Sequence, residues 1–154
     1  MTYREWKDAK QEEFNKLPIF FAFSDRQFKK EMEKRGLTEN DTDKIYGIGN
    51  GGFYLRSDAE VIRDWFSKPD ELPELMKDHD FAVDAFRYEM GEHEYHINWQ
   101  GDWDVCQCFG ECDYAGSKTF KNYLEEAGYS DEVVEFFKEA KRKFYKDCDD
   151  NDWW

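Results

Sequence analysis

The sequence predicts an α+β fold in which five to six helices pack on a small antiparallel sheet. A strand at about residues 18–23 and a hairpin at about residues 44–56 are rich in aromatic and β-branched side chains bounded by turn residues. Elsewhere apolar side chains recur three or four residues apart, which is typical of helices with one buried face. Aromatic residues make up 19% of the 154 residues, so a core can form although 38% are charged.

The first quarter of the chain predicts a helix, the strand and a second helix. Residues 1–16 carry apolar side chains along one stripe, and Pro18 ends this helix because proline lacks an amide hydrogen. After the strand, Ser24 fits a helix N-cap, with Gln27 as its capping-box partner. Gly36 fits the position just after the second helix, where a left-handed backbone is favoured.

The glycine-rich stretch from Gly47 to Gly52 predicts the turn of the hairpin. A phosphate-binding loop would need a helix directly after the glycines, but residues 53–55 are Phe-Tyr-Leu and indicate a strand. Asn-Gly and Gly-Gly suit tight hairpin turns. Ser57 is then the predicted cap of a helix that runs to about Phe66.

The rest of the chain is predicted to be mostly helical. The predicted segments are a short helix at 71–77, a helix at 78–91 that stops at Gly91, an acidic aromatic loop at 99–104, one helical turn at 105–109, and helices at 119–127 and 130–146. The sequence contains no linker-like stretch. We therefore expect one globular domain, residues 1–147, and a loose acidic tail, residues 148–154.

Negative charge is concentrated in the second half of the sequence. Residues 1–77 have 16 acidic against 14 basic side chains, whereas residues 78–154 have 20 against 8. Residues 78–113, which we call the acidic segment, hold ten acidic side chains and one basic one, together with all three histidines. Such an anionic surface repels nucleic acid and anionic membranes, and it attracts basic protein surfaces or cations.

The acidic segment is therefore predicted to be a contact surface for a basic protein. Carboxylates spaced along a helix and a loop can resemble the spacing of phosphates, and tryptophans supply the anchors that interfaces favour. The predicted partner-binding residues are Glu89, Glu92, Glu94, Trp99, Asp102, Trp103 and Asp104. No side-chain pattern has the spacing of a known catalytic motif, so we expect a non-enzymatic protein. The alternative is a solvated acidic surface without a partner.

A zinc site is a second hypothesis for the same segment. Zinc favours imidazole and thiolate ligands, and four of them can complete a tetrahedral site. The candidate ligands are His93, His96, Cys106, Cys108 and Cys112. The Cys-x-Cys-x3-Cys spacing differs from the usual Cys-x2-Cys pair, which favours cysteines that pack without a metal. We therefore expect no cofactor, with zinc as the alternative.

Three runs carry a resemblance to a known family: Ile19 to Phe28, Lys44 to Phe53, and His93 to Asn98. Over roughly residues 1–147 the chain resembles an uncharacterised family of small acidic proteins that carry a domain of unknown function. These proteins are encoded on phages and mobile elements of Gram-positive gut bacteria. The resemblance implies no catalytic residues. It implies a genomic setting in which inhibitors of host defence occur, including anti-CRISPR proteins that imitate DNA.

The sequence also predicts the cellular location of the protein. The first fourteen residues are charged and lack the apolar stretch of a secretory signal, and no apolar run approaches the length that spans a bilayer. We expect a cytoplasmic protein of the host bacterial cell, with reduced cysteines. Its expected partner is a basic protein surface, such as that of a CRISPR nuclease, and neither nucleic acid nor a membrane.

Overall fold

A computed structural model of the chain describes residues 1–114 and 118–154 and confirms the α+β class. The described residues form eight α-helices, more than the five to six predicted, and a three-stranded antiparallel sheet. In chain order the elements are α1 (Tyr3–Asn15), β1 (Ile19–Phe21), α2 (Asp25–Lys34), β2 (Ile45–Gly49), β3 (Gly52–Leu55), α3 (Ala59–Phe66), α4 (Leu72–Leu75), α5 (His79–Glu92), α6 (Gly101–Cys106), α7 (Phe120–Glu126) and α8 (Asp131–Asn151).

The chain divides into two compact units. The sheet unit is Ala9–Pro69, and the helical unit combines Met1–Asp8 with Asp70–Trp154. The acidic segment lies entirely within the helical unit. Within the described part of the chain, no helix has both the length and the hydropathy that crossing a bilayer requires.

The sheet unit is built on the predicted hairpin. The strand order is β1-β3-β2, and both neighbouring pairs are antiparallel. Asn50 and Gly51 connect β2 to β3 with φ angles of 51° and 77°, the positive values that a two-residue hairpin turn of type I′ requires. Phe20, Met32 and Ile45 form the buried core of this unit.

One helix cap of the sheet unit follows the prediction and another does not. The Ser24 hydroxyl accepts a hydrogen bond from the Gln27 amide at 3.2 Å, as predicted. The Gln27 side chain in turn accepts from the amide of Phe23, one residue before the expected position. The prediction for Ser57 is wrong: it lies within a 3-10 turn, and Asp58 is the N-cap residue of α3.

Aromatic packing between α5, α7 and α8 forms the core of the helical unit. Phe86 of α5 and Phe137 of α8 are both fully buried, and their ring centroids lie 4.9 Å apart with one edge against the other face. Phe120 stacks on the same Phe137 ring at 4.5 Å. Because each ring removes a large apolar area from water, these contacts hold the three helices together.

Left-handed residues follow four of the helices, among them α8, after which Asp152 has a φ angle of 55°. Gly36 after α2 and Gly128 after α7 have φ angles of 72° and 89°, as expected for glycine just after a helix end. The prediction that Gly91 ends α5 is wrong, because this helix continues to Glu92. The left-handed position after α5 belongs instead to Glu94, whose φ is 48°.

The stretch predicted as an acidic aromatic loop, residues 99–104, is partly helical. Helix α6 begins at Gly101, and its Val105 and Cys106 are fully buried. Asp102 and Asp104 lie in its first turn, where negative side chains stabilise the positive end of the helix dipole. Burial of only two side chains leaves little apolar periodicity to recognise in the sequence.

Helix α8 extends past the predicted end at residue 146. It continues to Asn151, and Cys148 on its inner side is fully buried. The indole of Trp154 stacks on the ring of Tyr145 with centroids 5.7 Å apart and planes 4° from parallel. Residues 148–151 are therefore a part of the last helix.

An exposed cluster of charged side chains connects the start of α5 with α8. We expect its contribution to the stability of the folded protein to depend on pH. The His79 ring lies 2.7 Å from a Glu139 oxygen and 2.8 Å from an Asp80 oxygen. These two hydrogen bonds raise the pKa of His79 above its ordinary value of 6.5. Protonated His79 therefore stabilises the folded protein fully below pH 6.5. This contribution is lost as the pH rises through the higher pKa that His79 has in the folded protein.

Titration of the histidine ring signals by NMR measures this effect. We expect the His79 midpoint to lie above 6.5 and to fall towards that value in Glu139→Gln, because the larger of the two interactions is removed. A midpoint that Glu139→Gln leaves unchanged would contradict the assignment of the shift to this carboxylate.

Candidate functional site

Trp99 is the most exposed of the predicted anchor residues. Its side chain is 84% exposed, and it lies in the turn between α5 and α6. Trp103, the second predicted anchor, is half-buried: its indole N–H donates to the Cys112 carbonyl at 3.1 Å, and its ring packs against Tyr114. An indole that is open to solvent is therefore present at one of the two predicted positions.

A cavity of about 310 Å³ opens beside Trp99. Six of its described lining residues are aromatic. The described lining residues are Tyr95, Asn98, Trp99, Gln100, Gly101, Asp102, Trp103, Tyr114, Lys118, Tyr123 and Tyr145. The ammonium of Lys118 lies 2.6 Å from Glu126, so its charge already has a partner. The cavity thus combines aromatic walls with the carboxylate of Asp102.

Asp102 is fixed in place by two hydrogen bonds. One oxygen accepts from the Tyr95 hydroxyl, and the other accepts from the Phe120 amide at 3.2 Å, at the start of α7. Burial, and then the hydrogen bond to Asp102, raises the pKa of the Tyr95 hydroxyl, so this hydroxyl stays a donor. The carboxylate therefore has a defined position in the cavity wall and also supports the fold.

The other predicted carboxylates differ in how open they are. Asp104 is half-buried and accepts from the Asn98 side chain at 2.7 Å, whereas Glu92 and Glu94 are exposed. Glu89, by contrast, is only 3% exposed and does not present its carboxylate at the surface. Solvent-facing charge at the predicted positions is therefore strongest at Glu92 and Glu94.

The buried Glu89 carboxylate is held by the first turns of α1. Its Oε1 atom accepts from the Tyr3 hydroxyl at 2.7 Å and from the Lys7 ammonium at 2.9 Å. Burial, and then this hydrogen bond, raises the pKa of the Tyr3 hydroxyl. Glu89 raises the pKa of Lys7 against the opposing effect of partial burial. Glu89 is thus a charge whose partners come from a distant part of the sequence.

The other oxygen of Glu89 faces a histidine and a cysteine. Glu89 and His93 are four residues apart on α5, and Cys108 lies just after α6. Glu89 Oε2 is 3.5 Å from His93 Nε2 and 3.6 Å from Cys108 Sγ, and this Sγ is 3.4 Å from the same Nε2. Three potential metal-ligand atoms of different chemical types therefore converge.

This geometry is unfavourable for a nucleophilic cysteine. Burial and the nearby Glu89 charge raise the pKa of the Cys108 thiol to about 12, whereas reactive cysteines need a lowered pKa. The same His93 nitrogen faces both the thiol and the carboxylate, so the carboxylate does not orient the ring through its other nitrogen as in a triad. The arrangement suits binding of a cation better than activation of the thiol.

The remaining predicted zinc ligands lie elsewhere. His96 Nε2 is 3.1 Å from the Trp153 carbonyl, and the fully buried Cys106 thiol points to the Phe120 carbonyl at 3.9 Å. Cys112 is half-buried. Among the described residues, the ligand atoms that all lie within 4.8 Å of one another are those of Glu89, His93 and Cys108.

Sequence reasoning missed Glu89 as a potential ligand, as well as its partners Tyr3 and Lys7. The one available signal was the spacing of Glu89 and His93, because side chains four residues apart lie on the same helix face. The contribution of α1 has no such local signal, since more than 80 residues separate it from Glu89.

Comparison with known proteins identified a family for this chain. The model of a family described as a family of unknown function (DUF7659) matches residues 2–107. That range includes α1, α5 and α6 and stops one residue before Cys108. Neither a curated protein nor a solved structure matches the chain.

Removal of the buried carboxylate is expected to destabilise the helical unit. In Glu89→Ala the buried Tyr3 hydroxyl keeps no acceptor at this position, which costs roughly 1–3 kcal/mol of unfolding free energy. The exposed Glu92 on the same helix provides the matched control, and Glu92→Ala should change the unfolding free energy by less than about 0.5 kcal/mol. Urea unfolding followed by circular dichroism measures both. Equal losses in the two variants would show that the Glu89 network contributes nothing of its own.

Proposed function

The chain belongs to the DUF7659 family, whose description gives no activity, and we propose that it is a non-enzymatic binding protein. In this role the acidic segment docks on a positively charged surface of another protein. The observation that carries the proposal is the exposed Trp99 beside an aromatic cavity with a carboxylate in its wall.

The cavity supports a basic side chain as the group that the partner inserts. Aromatic faces attract ammonium and guanidinium groups, most strongly when water is excluded, and Trp gives the strongest attraction. Asp102 adds a fixed negative charge to the wall. An arginine or lysine of the partner would therefore gain cation–π contacts and an ionic partner at once. The volume of about 310 Å³ is large enough for such a side chain.

Charge supports the proposed class of partner. The net charge of −14 disfavours direct contact with nucleic acid or with an anionic membrane, and it speeds the encounter with a basic surface. A nucleic-acid-handling protein of a bacterial host, such as a CRISPR nuclease, has a basic groove for phosphates. Glu92 and Glu94 would occupy phosphate positions in that groove, with Trp99 as anchor. The protein would then act in the host cytoplasm as an inhibitor that imitates DNA, encoded by a phage or mobile element.

The contribution of Trp99 is tested in two steps. Tagged protein first captures a partner from a bacterial lysate, and the affinity of that partner for the protein and its variants is then measured. Trp99→Ala should weaken binding roughly thirtyfold, because a central interface tryptophan contributes about 2 kcal/mol or more. Trp153→Ala, which removes a half-exposed tryptophan outside the cavity lining, is the control and should leave affinity nearly unchanged. Similar losses in both variants would contradict a specific role of Trp99.

The contribution of Glu92 and Glu94 is tested against a control variant that has the same net charge. The double variant Glu92→Lys with Glu94→Lys raises the net charge by four. The double variant Glu132→Lys with Glu135→Lys, at exposed positions of α8, raises it by the same amount. Only the first should abolish capture of the partner. If the two double variants bind alike, the acidic segment attracts the partner only through overall charge.

DNA imitation itself is tested by a gel shift. A CRISPR nuclease loaded with its guide is incubated with labelled target DNA and increasing amounts of the protein. DNA binding should fall as the protein saturates the nuclease, and the Glu92→Lys, Glu94→Lys variant should not compete. Undiminished DNA binding at saturating protein would exclude imitation of DNA for that nuclease.

A further inference from the structure

Beyond this docking role, we propose that Glu89, His93 and Cys108 form a binding site for a zinc ion. The three residues offer a carboxylate oxygen, an imidazole nitrogen and a sulfur, which are the ligand types that zinc takes in proteins. The site differs from the set suggested by the sequence: it adds Glu89 and leaves out His96, Cys106 and Cys112.

The distances between the three ligand atoms fit tetrahedral zinc. Bond lengths of about 2.3 Å to sulfur and about 2.0 Å to nitrogen or oxygen, at a tetrahedral angle, place the sulfur about 3.5 Å from either partner and those two about 3.3 Å apart. The sulfur of Cys108 lies 3.4 Å from His93 Nε2 and 3.6 Å from Glu89 Oε2. The nitrogen and the oxygen are 3.5 Å apart. A zinc ion therefore fits among the three atoms with shifts of a few tenths of an ångström.

The surroundings of Glu89 prepare it as a ligand. Tyr3 and Lys7 both bind Oε1, so the carboxylate has a fixed orientation with Oε2 directed at His93 and Cys108. Hydrogen bonds that orient ligands in this way are typical of metal sites and strengthen them. The Glu89 carboxylate and the Cys108 thiolate supply two negative charges for a divalent ion, and the thiol proton is released to solvent when the ion binds.

The site is partly open to solvent. The His93 side chain is 33% exposed and Cys108 is half-buried, whereas Glu89 is enclosed. An ion can therefore reach the three ligands without opening the core. Three protein ligands leave the fourth position of zinc to water, the arrangement found where zinc sites stay open.

Titration of the metal-free protein with Co²⁺ tests the proposal, because cobalt takes zinc-like sites and reports its ligands in the absorption spectrum. We expect one Co²⁺ per chain, intense visible bands of tetrahedral cobalt, and a near-ultraviolet charge-transfer band from the thiolate. Zn²⁺ should displace the cobalt and erase these bands. Absence of the charge-transfer band in the parent protein would overturn the proposal in favour of a hydrogen-bonded group only.

Matched variants identify the ligands. Cys108→Ser should lose the charge-transfer band, and His93→Gln should weaken Co²⁺ binding at least tenfold. Cys112→Ser and His96→Gln should have the same charge-transfer band and the same affinity for Co²⁺ as the parent protein. Cys108 and His93 are both partly exposed, so their substitution disturbs the fold less than a change at Glu89, and circular dichroism checks that each variant is folded. A charge-transfer band that persists in Cys108→Ser would refute the site. The spectra do not involve a partner protein, so this result is independent of the docking experiments.

Discussion

The helical unit depends on how it accommodates one buried negative charge. A carboxylate that is removed from water costs several kcal/mol unless a positive group and hydrogen bonds compensate it. For Glu89 this compensation comes from Tyr3 and Lys7, so the first two turns of α1 must lie against α5. The Tyr3 amide also donates to the Asp84 carboxylate at 2.9 Å. Two acidic residues of α5 thus determine where the beginning of the chain packs.

This arrangement changes the meaning of the high acidic content. Composition alone treats every carboxylate in residues 78–113 as surface charge. In the folded protein, Asp84, Glu89 and Asp102 accept hydrogen bonds from distant parts of the chain and hold α1 and α7 in place. The charge left for a partner is therefore smaller than the sequence count indicates. Glu92 and Glu94, at the end of α5 and in the turn that leads to Trp99, are among the exposed acidic residues that remain.

The sequence predicted those features that depend on local chemistry. The Asn50-Gly51 turn, the Ser24 cap and the left-handed Gly36 each need only a few neighbouring residues, and each is found as expected. The helical start of α6 was missed, since only Val105 and Cys106 of that short helix are fully apolar and buried. These features are set within one or two helical turns.

The candidate sites were predicted less well because they combine residues that are far apart. Trp99 could be chosen from composition, and it is exposed as an anchor must be. The cavity beside it needs Tyr145 from α8, and the Glu89 group needs α1, which no spacing rule connects to α5. The positions of histidine and cysteine in the sequence also do not show which thiols are buried. Cys106 is fully buried, whereas the thiol of Cys108, two residues later, faces His93.

Glu94 adopts a left-handed backbone conformation that is unfavourable for a residue with a Cβ atom. After α2 and α7 the chain reverses through glycine, which adopts a left-handed backbone without steric cost, whereas a residue with a Cβ atom loses about 1 kcal/mol there. The end of α5 accepts that loss and retains an acidic group on the outer side of the reversal. Glycine at this place would relax the main chain and delete an exposed anionic group in the turn between α5 and α6. Conformational ease and surface chemistry therefore oppose each other at this single residue.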